Sequence, residues 1–425
     1  MAPLFSACTR KSQKDVKKMK IGILTLHSQI NYGGVLQAYA LQKHLRDNGY
    51  DAEVIDYWLT PSNGDLLGFW LSASKPLWYR IIRFPYWCIR DGFVLAEIRR
   101  RRRTIRFIEQ YISVGEKTYK TPQELTALSG YAVVIVGSDQ IWHPVHIPAP
   151  NPFLLNWLRE ACDSETWIKR VSYAASFGVK EIPKERKDEY VSGLEKFDFI
   201  SVREKEGREI VEDLLFPSKE KSENHVVRVL DPTLLILRSE WAELISNQRP
   251  QGSGDNAYVF CYWLGDIEKI LPVLERLVSE GKKICFISNW RGGSWRKSVQ
   301  NWKVKMVLTC TPGIRCCFAA GPKEFVKLVA DSAAVLSDSF HAMMFGSIFE
   351  KPMCIVHKSS KTRVSMGARL LDFQKEYGLD GVVQEFVPSS EQIFVVPNYE
   401  IMKKKLAGAR ETSAEYLRNA LTELN

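Results

Sequence analysis

One histidine, His341, lies where a predicted strand (AAVLSDS) gives way to a predicted helix (FHAMMFGSIFE). An imidazole titrates near neutral pH, so it can carry a proton to and from a reacting centre. Ser337, Asp338 and Ser339 come just before it. Polar neighbours at a strand end favour a histidine that faces a cleft, and a histidine buried for packing is the alternative.

Arg203 stands at the end of another predicted strand, within SVREKEG at 201–207. A guanidinium in that place can hold a carboxylate or a phosphate through two parallel hydrogen bonds. The alternative is a surface ion pair with Glu204 or Glu206.

A glycine-containing loop, HSQINYGG, follows the first predicted strand and leads into a helix. Gly33 and Gly34 let the backbone approach a ligand closely, and a helix N-terminus favours an anion or a group of hydroxyls. With Asn31 they form a candidate binding loop. The alternative is a tight turn from strand to helix.

The segment GSDQIWHP at 137–144 also follows a strand. Asp139 and Gln140 are suited to hydrogen-bond the hydroxyls of a sugar, and Trp142 offers an apolar ring face to the same ligand. The alternative is that Asp139 caps the next helix.

Alternating strands and helices must position these residues. KIGILTL, VLQAYALQKHLRDNGY and DAEVIDY predict a strand, a helix and a strand, which imply a parallel sheet. A second alternating set begins at NAYVFCYWL, so we expect an α/β protein with two Rossmann-like domains facing a cleft. The expected divisions are a poorly ordered extension at 1–19, a first domain at 20–238, a linker at 239–255, a second domain at 256–395 and a C-terminal helix at 396–425.

An insert at 66–111 interrupts the first domain. It contains Trp70, Trp78 and Trp87 and the run RRRRR at 99–103. Aromatic and basic side chains together are typical of a helix at a membrane surface, which salt-sensitive binding to anionic vesicles would reveal. The alternative is a pair of helices with arginines on a solvated face. No nucleic-acid recognition motif accompanies the run.

The composition narrows the class of partner and site. A net charge of +10 suits a nucleic acid, a phospholipid surface or a phosphorylated substrate. The nine cysteines are scattered, with Cys310, Cys316 and Cys317 as the one close set, and no histidine has zinc-ligand spacing from them. We therefore expect reduced thiols, no metal site and a cytoplasmic protein, peripheral at the inner face of the cell membrane if the insert attaches it.

Several motifs occur in one order along the chain: NYGGVLQAYALQ, GSDQIWHP, SYAASFG, SVREKEG, DPTLLI, GPKEFVKLVADSAAVLSDSFHAMMFGSIFEKP and a later RLL at Arg369. Together they resemble the polysaccharide pyruvyl transferase family from about residue 20 to about residue 379. The resemblance implies a fold similar to the GT-B glycosyltransferases, with two Rossmann-like domains across a cleft.

The resemblance also implies an activity. Characterised members take phosphoenolpyruvate as donor, join its pyruvyl group to two hydroxyls of one sugar as a cyclic ketal, and release phosphate. Acceptors are surface glycans, often still on a lipid diphosphate carrier, and no cofactor or metal is implied. His341 would be the acid–base group. The expected donor-side residues are Arg203, Ser337, Asp338, Ser339, Lys358 and Arg363, and the expected acceptor-side residues are Asn31, Gly33, Gly34, Asp139, Gln140 and Trp142.

One departure from the family pattern concerns the donor. Several members have an arginine two residues before the histidine, where this chain has Ser339. A second cation must then come from Lys358, Arg363 or Arg369. Two other functions stay open: a nucleotide-sugar glycosyltransferase of the same fold, which would release a nucleotide, and a non-enzymatic scaffold at a membrane surface.

Overall fold

Twelve strands and thirteen α-helices are seen in the part of the chain that the computed structural model describes, which is residues 20–28, 31–59, 76, 78, 94–159, 168–216, 226–247, 257–288, 295–357, 364–385 and 388–422. The strands are β1 Lys20–Leu24, β2 Asp51–Val54, β3 Val133–Val136, β4 Lys169–Ser172, β5 Ile200–Val202, β6 Val226–Arg228, β7 Tyr258–Trp263, β8 Lys283–Ser288, β9 Ile314–Cys316, β10 Ala334–Ser337, β11 Met353–Val356 and β12 Val383–Gln384. The helices are α1 Tyr32–Asp47, α2 Val94–Tyr111, α3 Pro122–Leu125, α4 Lys187–Leu194, α5 Lys205–Leu215, α6 Arg238–Ile245, α7 Leu271–Ser279, α8 Trp295–Cys310, α9 Pro322–Ala330, α10 Phe340–Ile348, α11 Val364–Tyr377, α12 Ser390–Ile393 and α13 Tyr399–Thr422.

The first sheet has the order β2-β1-β3-β4, and every pairing in it is parallel. Strands β5 and β6 pair in parallel beside it, and single bridges such as Val171 to Phe199 join them to β4. Strand β3 (VVIV) is buried along its whole length, as expected of a parallel strand covered by helices on both faces. All these strands therefore end at the same edge.

The second sheet has the order β12-β11-β10-β7-β8-β9 and is also parallel throughout. The two sheets fall within the ranges 20–238 and 256–395 that the sequence analysis assigned to two domains. The predicted α/β class with two Rossmann-like domains is confirmed.

The two domains share one apolar core, which contains buried residues from both sheets and from the helices between them. Tyr32, the first residue of α1, shows the contact in detail. Its hydroxyl donates a hydrogen bond to the Ala320 carbonyl at 2.7 Å, and its ring stacks on Phe325 with centroids 4.6 Å apart. The loop before α1 is thereby attached to the second domain.

The C-terminal helix α13 returns to the first domain. The Tyr416 hydroxyl donates to the carbonyl of Ser172 at 2.7 Å, and the Leu230 amide donates to Ser413 Oγ at 3.0 Å. The amphipathic helix predicted at the C-terminus is present, and it spans Tyr399–Thr422.

The predicted linker at 239–255 needs a correction. Its first part belongs to α6, where Trp241 is fully buried and donates Nε1 to the Thr233 carbonyl at 3.1 Å. Trp241, Leu244 and Ile245 recur at helical spacing and bury one face of the helix, which outweighs the polar composition of the segment. The part rich in glycine and proline, at 248–256, lies outside the described residues.

Helix α2 carries the arginine run of the insert, but the run is not one solvated face. Arg100 is buried, makes an ion pair with Glu97 at 2.9 Å and lies over the Tyr32 ring. Arg103 donates Nη1 to the Ala319 carbonyl of the second domain at 2.9 Å. Two of the five arginines therefore make contacts within the protein.

Membrane attachment through the insert stays a prediction. Arg99 and Arg102 are exposed, as is Trp78, whereas Trp70 and Trp87 lie outside the described residues. No helix in the described part of the chain is both long and apolar enough to cross a membrane.

Candidate active site

The candidate site lies where the carboxyl ends of the two sheets meet. His341 is the second residue of α10, directly after β10, and Arg203 follows β5. Asp231 follows β6 and begins the turn at Pro232–Leu234. Loops at the ends of parallel strands converge in space, so residues far apart in sequence come together.

The imidazole of His341 packs directly on the backbone of Gly33 in α1. A Cβ atom placed on Gly33 would overlap the ring, with Nδ1 as the nearest atom. The Gly33 amide is already engaged, because it donates to the side chain of Asn31, the N-cap of α1, at 3.2 Å. Glycine is thus required here to admit the histidine. Acceptor contacts of Asn31, Gly33 and Gly34 stay predictions.

The other ring nitrogen of His341, Nε2, lies 3.8 Å from Asp231 Oδ2. Among the described residues it has no hydrogen-bond partner, although the atom is buried. Burial is the main reason that the pKa of His341 is lowered from its ordinary value; Asp231 and Asp139 oppose the shift and Arg203 assists it. The imidazole is therefore neutral at pH 7 and ready to accept a proton.

Asp231 is buried and held in one orientation. Its Oδ1 accepts hydrogen bonds from the Thr233 amide at 3.0 Å and the Thr233 hydroxyl at 2.7 Å, and its Oδ2 accepts from Arg203 Nη1 at 2.8 Å. Burial alone would raise the pKa of Asp231, but His341 and Arg203 outweigh it and the pKa is lowered. An ionised carboxylate thus faces the histidine.

Arg203 lies in the interior of the protein, with its guanidinium 4.6 Å from the centre of the Phe340 ring. Its Nε donates to Glu204 Oε1 at 2.8 Å. Burial acts to lower the pKa of Arg203, but Glu204 and Asp231 raise it further than burial lowers it. The ion pair with Glu204 that the sequence allowed does form, but it is buried and not at the surface.

A second guanidinium, on Arg369 of α11, lies on the same ring of Phe340 at 5.9 Å. Its Nη1 is 3.4 Å from Glu204 Oε1, and its Nη2 is 2.8 Å from the Gln140 side-chain oxygen when that amide faces it. Burial lowers the pKa of Arg369. Glu204 also accepts from the Ser176 hydroxyl at 2.9 Å, so one carboxylate of the first domain contacts both Arg203 and Arg369, which comes from the second domain.

A family model described as polysaccharide pyruvyl transferase matches residues 31–356, well over half of the chain. The chain belongs to the polysaccharide pyruvyl transferase family. The match includes Arg203, Asp231 and His341, whereas Arg369 lies beyond its end. No curated protein gives a significant sequence match.

Solved structures resemble this family member only distantly. The UDP-GlcNAc 2-epimerase from Methanocaldococcus jannaschii is 12% identical, with 92% of each chain covered and a TM-score of 0.47. The UDP-GlcNAc 2-epimerase from Neisseria meningitidis is 11% identical, with 94% of this chain and 99% of the other covered and a TM-score of 0.46. The E. coli ADP-heptose lps heptosyltransferase II is 9% identical, with 93% and 100% covered and a TM-score of 0.37.

Trp142 does not offer a ring face to a sugar in this family member. The side chain is fully buried, packs on Phe177 and Phe197, and donates Nε1 to the Phe153 carbonyl at 3.1 Å. This large apolar ring packs in the core of the first domain, so the predicted acceptor role of Trp142 is wrong.

Asp139 does not cap a helix. It has a left-handed backbone with φ of 67°, a conformation that aspartate tolerates better than most residues, and its carboxylate lies toward Gly34. The first helical turn after it begins at Pro152 and is capped by Asn151. Acceptor binding by Asp139 stays a prediction, and Gln140 points to Arg369.

The three polar residues before His341 bind the chain itself. The Ser337 hydroxyl donates to the Tyr262 carbonyl and accepts from the Ser339 amide at 3.1 Å. Asp338 accepts from the amides of Leu264 at 2.6 Å and Gly265 at 2.8 Å. These bonds fix the end of β10 against the end of β7 and so position His341. Donor contacts by the three residues stay predictions.

Two donor-side candidates, Lys358 and Arg363, lie outside the described residues. Sequence reasoning missed Glu204 and Asp231 as members of the site. Asp231 carried a usable signal, because it follows a predicted strand and precedes Pro232, as other site residues follow strands. Glu204 was considered only as a surface partner of Arg203.

We predict that Gly33→Ala lowers the free energy of unfolding by about 1–3 kcal/mol, because the new methyl group overlaps the His341 ring. In a His341→Ala background the same substitution should be nearly harmless, since the obstacle is gone. Thermal or urea unfolding of the wild type, the two single variants and the double variant gives the coupling free energy between Gly33 and His341. Gly408→Ala in α13 is the matched control, because nothing lies near its added Cβ. An equal loss from Gly33→Ala in both backgrounds would contradict the contact.

Proposed function

We propose that this protein transfers the pyruvyl group of phosphoenolpyruvate to two hydroxyls of one sugar of a polysaccharide, forming a cyclic ketal and releasing phosphate. The observation that carries the proposal is the neutral, buried His341, 3.8 Å from the ionised Asp231 and beside two guanidiniums, in a chain of this family. Such a site combines a proton carrier with cations for an anionic donor.

The proposed reaction needs a proton at one place and a base at another. His341, once protonated, gives its proton to the methylene carbon of the donor, which becomes a methyl group and leaves C2 electron-poor. One sugar hydroxyl forms a bond to C2, the bond from C2 to the phosphate oxygen breaks, and a second hydroxyl closes the ring. The two hydroxyl protons leave, one restoring His341 and one carried away on phosphate.

Asp231 supports the histidine in both protonation states. Its ionised carboxylate favours the imidazolium, and its own position is fixed by Thr233 and Arg203. A donor that brings several negative charges beside His341 raises the pKa of the imidazole further. The histidine is thus neutral in the free protein and becomes an acid when the donor binds.

The donor's carboxylate and phosphate call for more than one cation. Arg203 and Arg369 lie on the same Phe340 ring, so we propose that Arg369 supplies the charge that several members place at the position of Ser339. A cavity of about 210 Å³ is lined by both arginines and Phe340, and also by acidic residues that include Asp231 and Glu204; His341 is not among its lining residues. We propose that the anionic groups of the donor bind at the two guanidiniums beside His341.

Access to the site requires motion. His341, Arg203 and Asp231 are all nearly buried, and the first domain rests on the histidine through Gly33. The domains must therefore part for a donor and a glycan to enter, as in other enzymes that close over their substrates. The family points to a polysaccharide acceptor, and we propose an acceptor on a lipid diphosphate carrier at the inner membrane face.

The direct test is phosphate release from phosphoenolpyruvate with candidate lipid-linked glycans, with mass spectrometry to detect the added pyruvyl group. We expect His341→Gln to lower turnover by roughly 100- to 10,000-fold while the protein stays folded. His44→Gln, a histidine on α1 away from the site, is the matched control and should keep its activity. Nucleotide release from a sugar nucleotide, or a His341→Gln protein with unchanged activity, would refute the proposal.

The two arginines should act on the donor more than on the acceptor. Arg369→Gln and Arg203→Lys each remove charge-assisted hydrogen bonds, so the KM for phosphoenolpyruvate should rise about 10- to 100-fold. The KM for the acceptor should change little. Arg276→Gln is the control, because this arginine contacts the Pro388 carbonyl and Ser390 far from the site. Equal increases in both KM values would show that the arginines are structural.

A further inference from the structure

Two cysteines from neighbouring strands of the second sheet lie almost in contact. Cys285 is in β8, and Cys317 directly follows β9, which pairs with β8 in parallel. The Cys317 amide donates to the Phe286 carbonyl at 2.8 Å, which holds the chain in register past the end of β9. The two sulfur atoms are 2.9 Å apart, and both cysteines are free thiols.

The surroundings make the two thiols unequal. Cys285 is buried, with 1% of its surface exposed, whereas Cys317 is half-buried and reachable from solvent. A hydrogen bond from the Cys285 thiol is the main cause that lowers the pKa of Cys317 to about 7, and Arg315 assists while burial opposes. The hydrogen bond with Cys317, and then burial, raise the pKa of Cys285 well above its usual value. Cys317 is therefore the nucleophile and Cys285 the proton donor beside it.

The adjacent Cys316 is different. Strand residues alternate between the two faces of a sheet, so Cys316 and Cys317 point in opposite directions. Burial raises the pKa of Cys316 to about 11. The position next to Cys317 thus provides a control of the same residue type.

We propose that Cys285 and Cys317 form a site of reversible oxidation. A small-molecule disulfide such as oxidised glutathione converts the two thiols into an intramolecular disulfide. The Cys317 thiolate attacks one glutathione sulfur, the glutathione disulfide bond breaks, and one glutathione thiolate leaves. Cys285 then loses its proton and attacks Cys317 sulfur, and the second glutathione leaves. Two protein thiols lose two electrons in total, and one small disulfide becomes two thiols.

The site lies at a contact between the domains. Ala320, three residues after Cys317, donates its amide to the Cys317 carbonyl at 3.0 Å and accepts from the Tyr32 hydroxyl at 2.7 Å. The Ala319 carbonyl accepts from Arg103. The same short segment therefore joins the thiol pair to the helices of the first domain. The proposal does not depend on pyruvyl transfer.

The test is disulfide mapping on the full-length, folded protein. The protein is incubated with oxidised glutathione, remaining thiols are blocked with iodoacetamide, and the tryptic peptides are read by mass spectrometry. We expect a linked pair that joins the Cys285 peptide to the Cys317 peptide, and its loss on adding dithiothreitol.

Before oxidation, about half of a thiol with a pKa near 7 is thiolate at pH 7, so Cys317 should be alkylated at least about 10-fold faster than Cys316.

Cys316 and Cys317 lie on one tryptic peptide, so two variants complete the assignment. Cys316→Ser should keep the linked pair, and Cys317→Ser should lose it, with thermal unfolding confirming that both are folded. The proposal is overturned by a link that maps to Cys316 or Cys310. It is equally overturned if Cys317 keeps bound glutathione while Cys285 is alkylated, or if both thiols stay reduced.

Discussion

Two guanidinium groups buried side by side, on Arg203 and Arg369, are the constraint on which the centre of this protein depends. A charge taken out of water costs several kcal/mol unless it is paired and hydrogen-bonded. Glu204 lies between the two arginines, and Asp231 accepts from Arg203 on the other side. Each carboxylate lies at a strand end of the first domain, whereas Arg369 comes from the second. The charges can be satisfied together only when both domains are in place.

The same contact between the domains explains the position of His341. His341 reaches the first domain because Gly33 has no side chain, and its ring then lies beside the carboxylate of Asp231. The proposed proton transfer, the proposed binding of an anionic donor and the domain contact therefore involve one small set of side chains. A substrate that entered between the domains would meet all of them at once, which is how a two-domain enzyme keeps water from a reactive intermediate.

Much of the fold could be predicted from the sequence, because strands and helices alternate with clear apolar periods. Arg203 and His341 were expected at strand ends and are found there. The predicted role of Trp142 in acceptor binding was wrong, because tryptophan in such a motif can equally well pack in the hydrophobic core. Helix α6 was missed, because proline and glycine after residue 248 obscured three apolar residues before it.

Contacts between distant segments were beyond the reach of sequence patterns. Arg369 was one of three candidates for the missing cation, and only folding brings α11 against Glu204. The thiol pair is a similar case, since Cys285 and Cys317 are 32 residues apart and meet only because β8 and β9 are neighbours. Pairings of this kind depend on strand order, which local patterns do not specify.

The measurement that tests the central claim most directly is the pKa of His341 in the free protein and with phosphoenolpyruvate bound. Nuclear magnetic resonance of histidine-labelled protein gives it, with His341→Gln to assign the signal. The account predicts a value below the ordinary 6.5 in the free protein. The value should rise by about one unit or more when the anionic donor binds. A histidine that titrates at its ordinary pKa and does not respond to phosphoenolpyruvate would contradict the account.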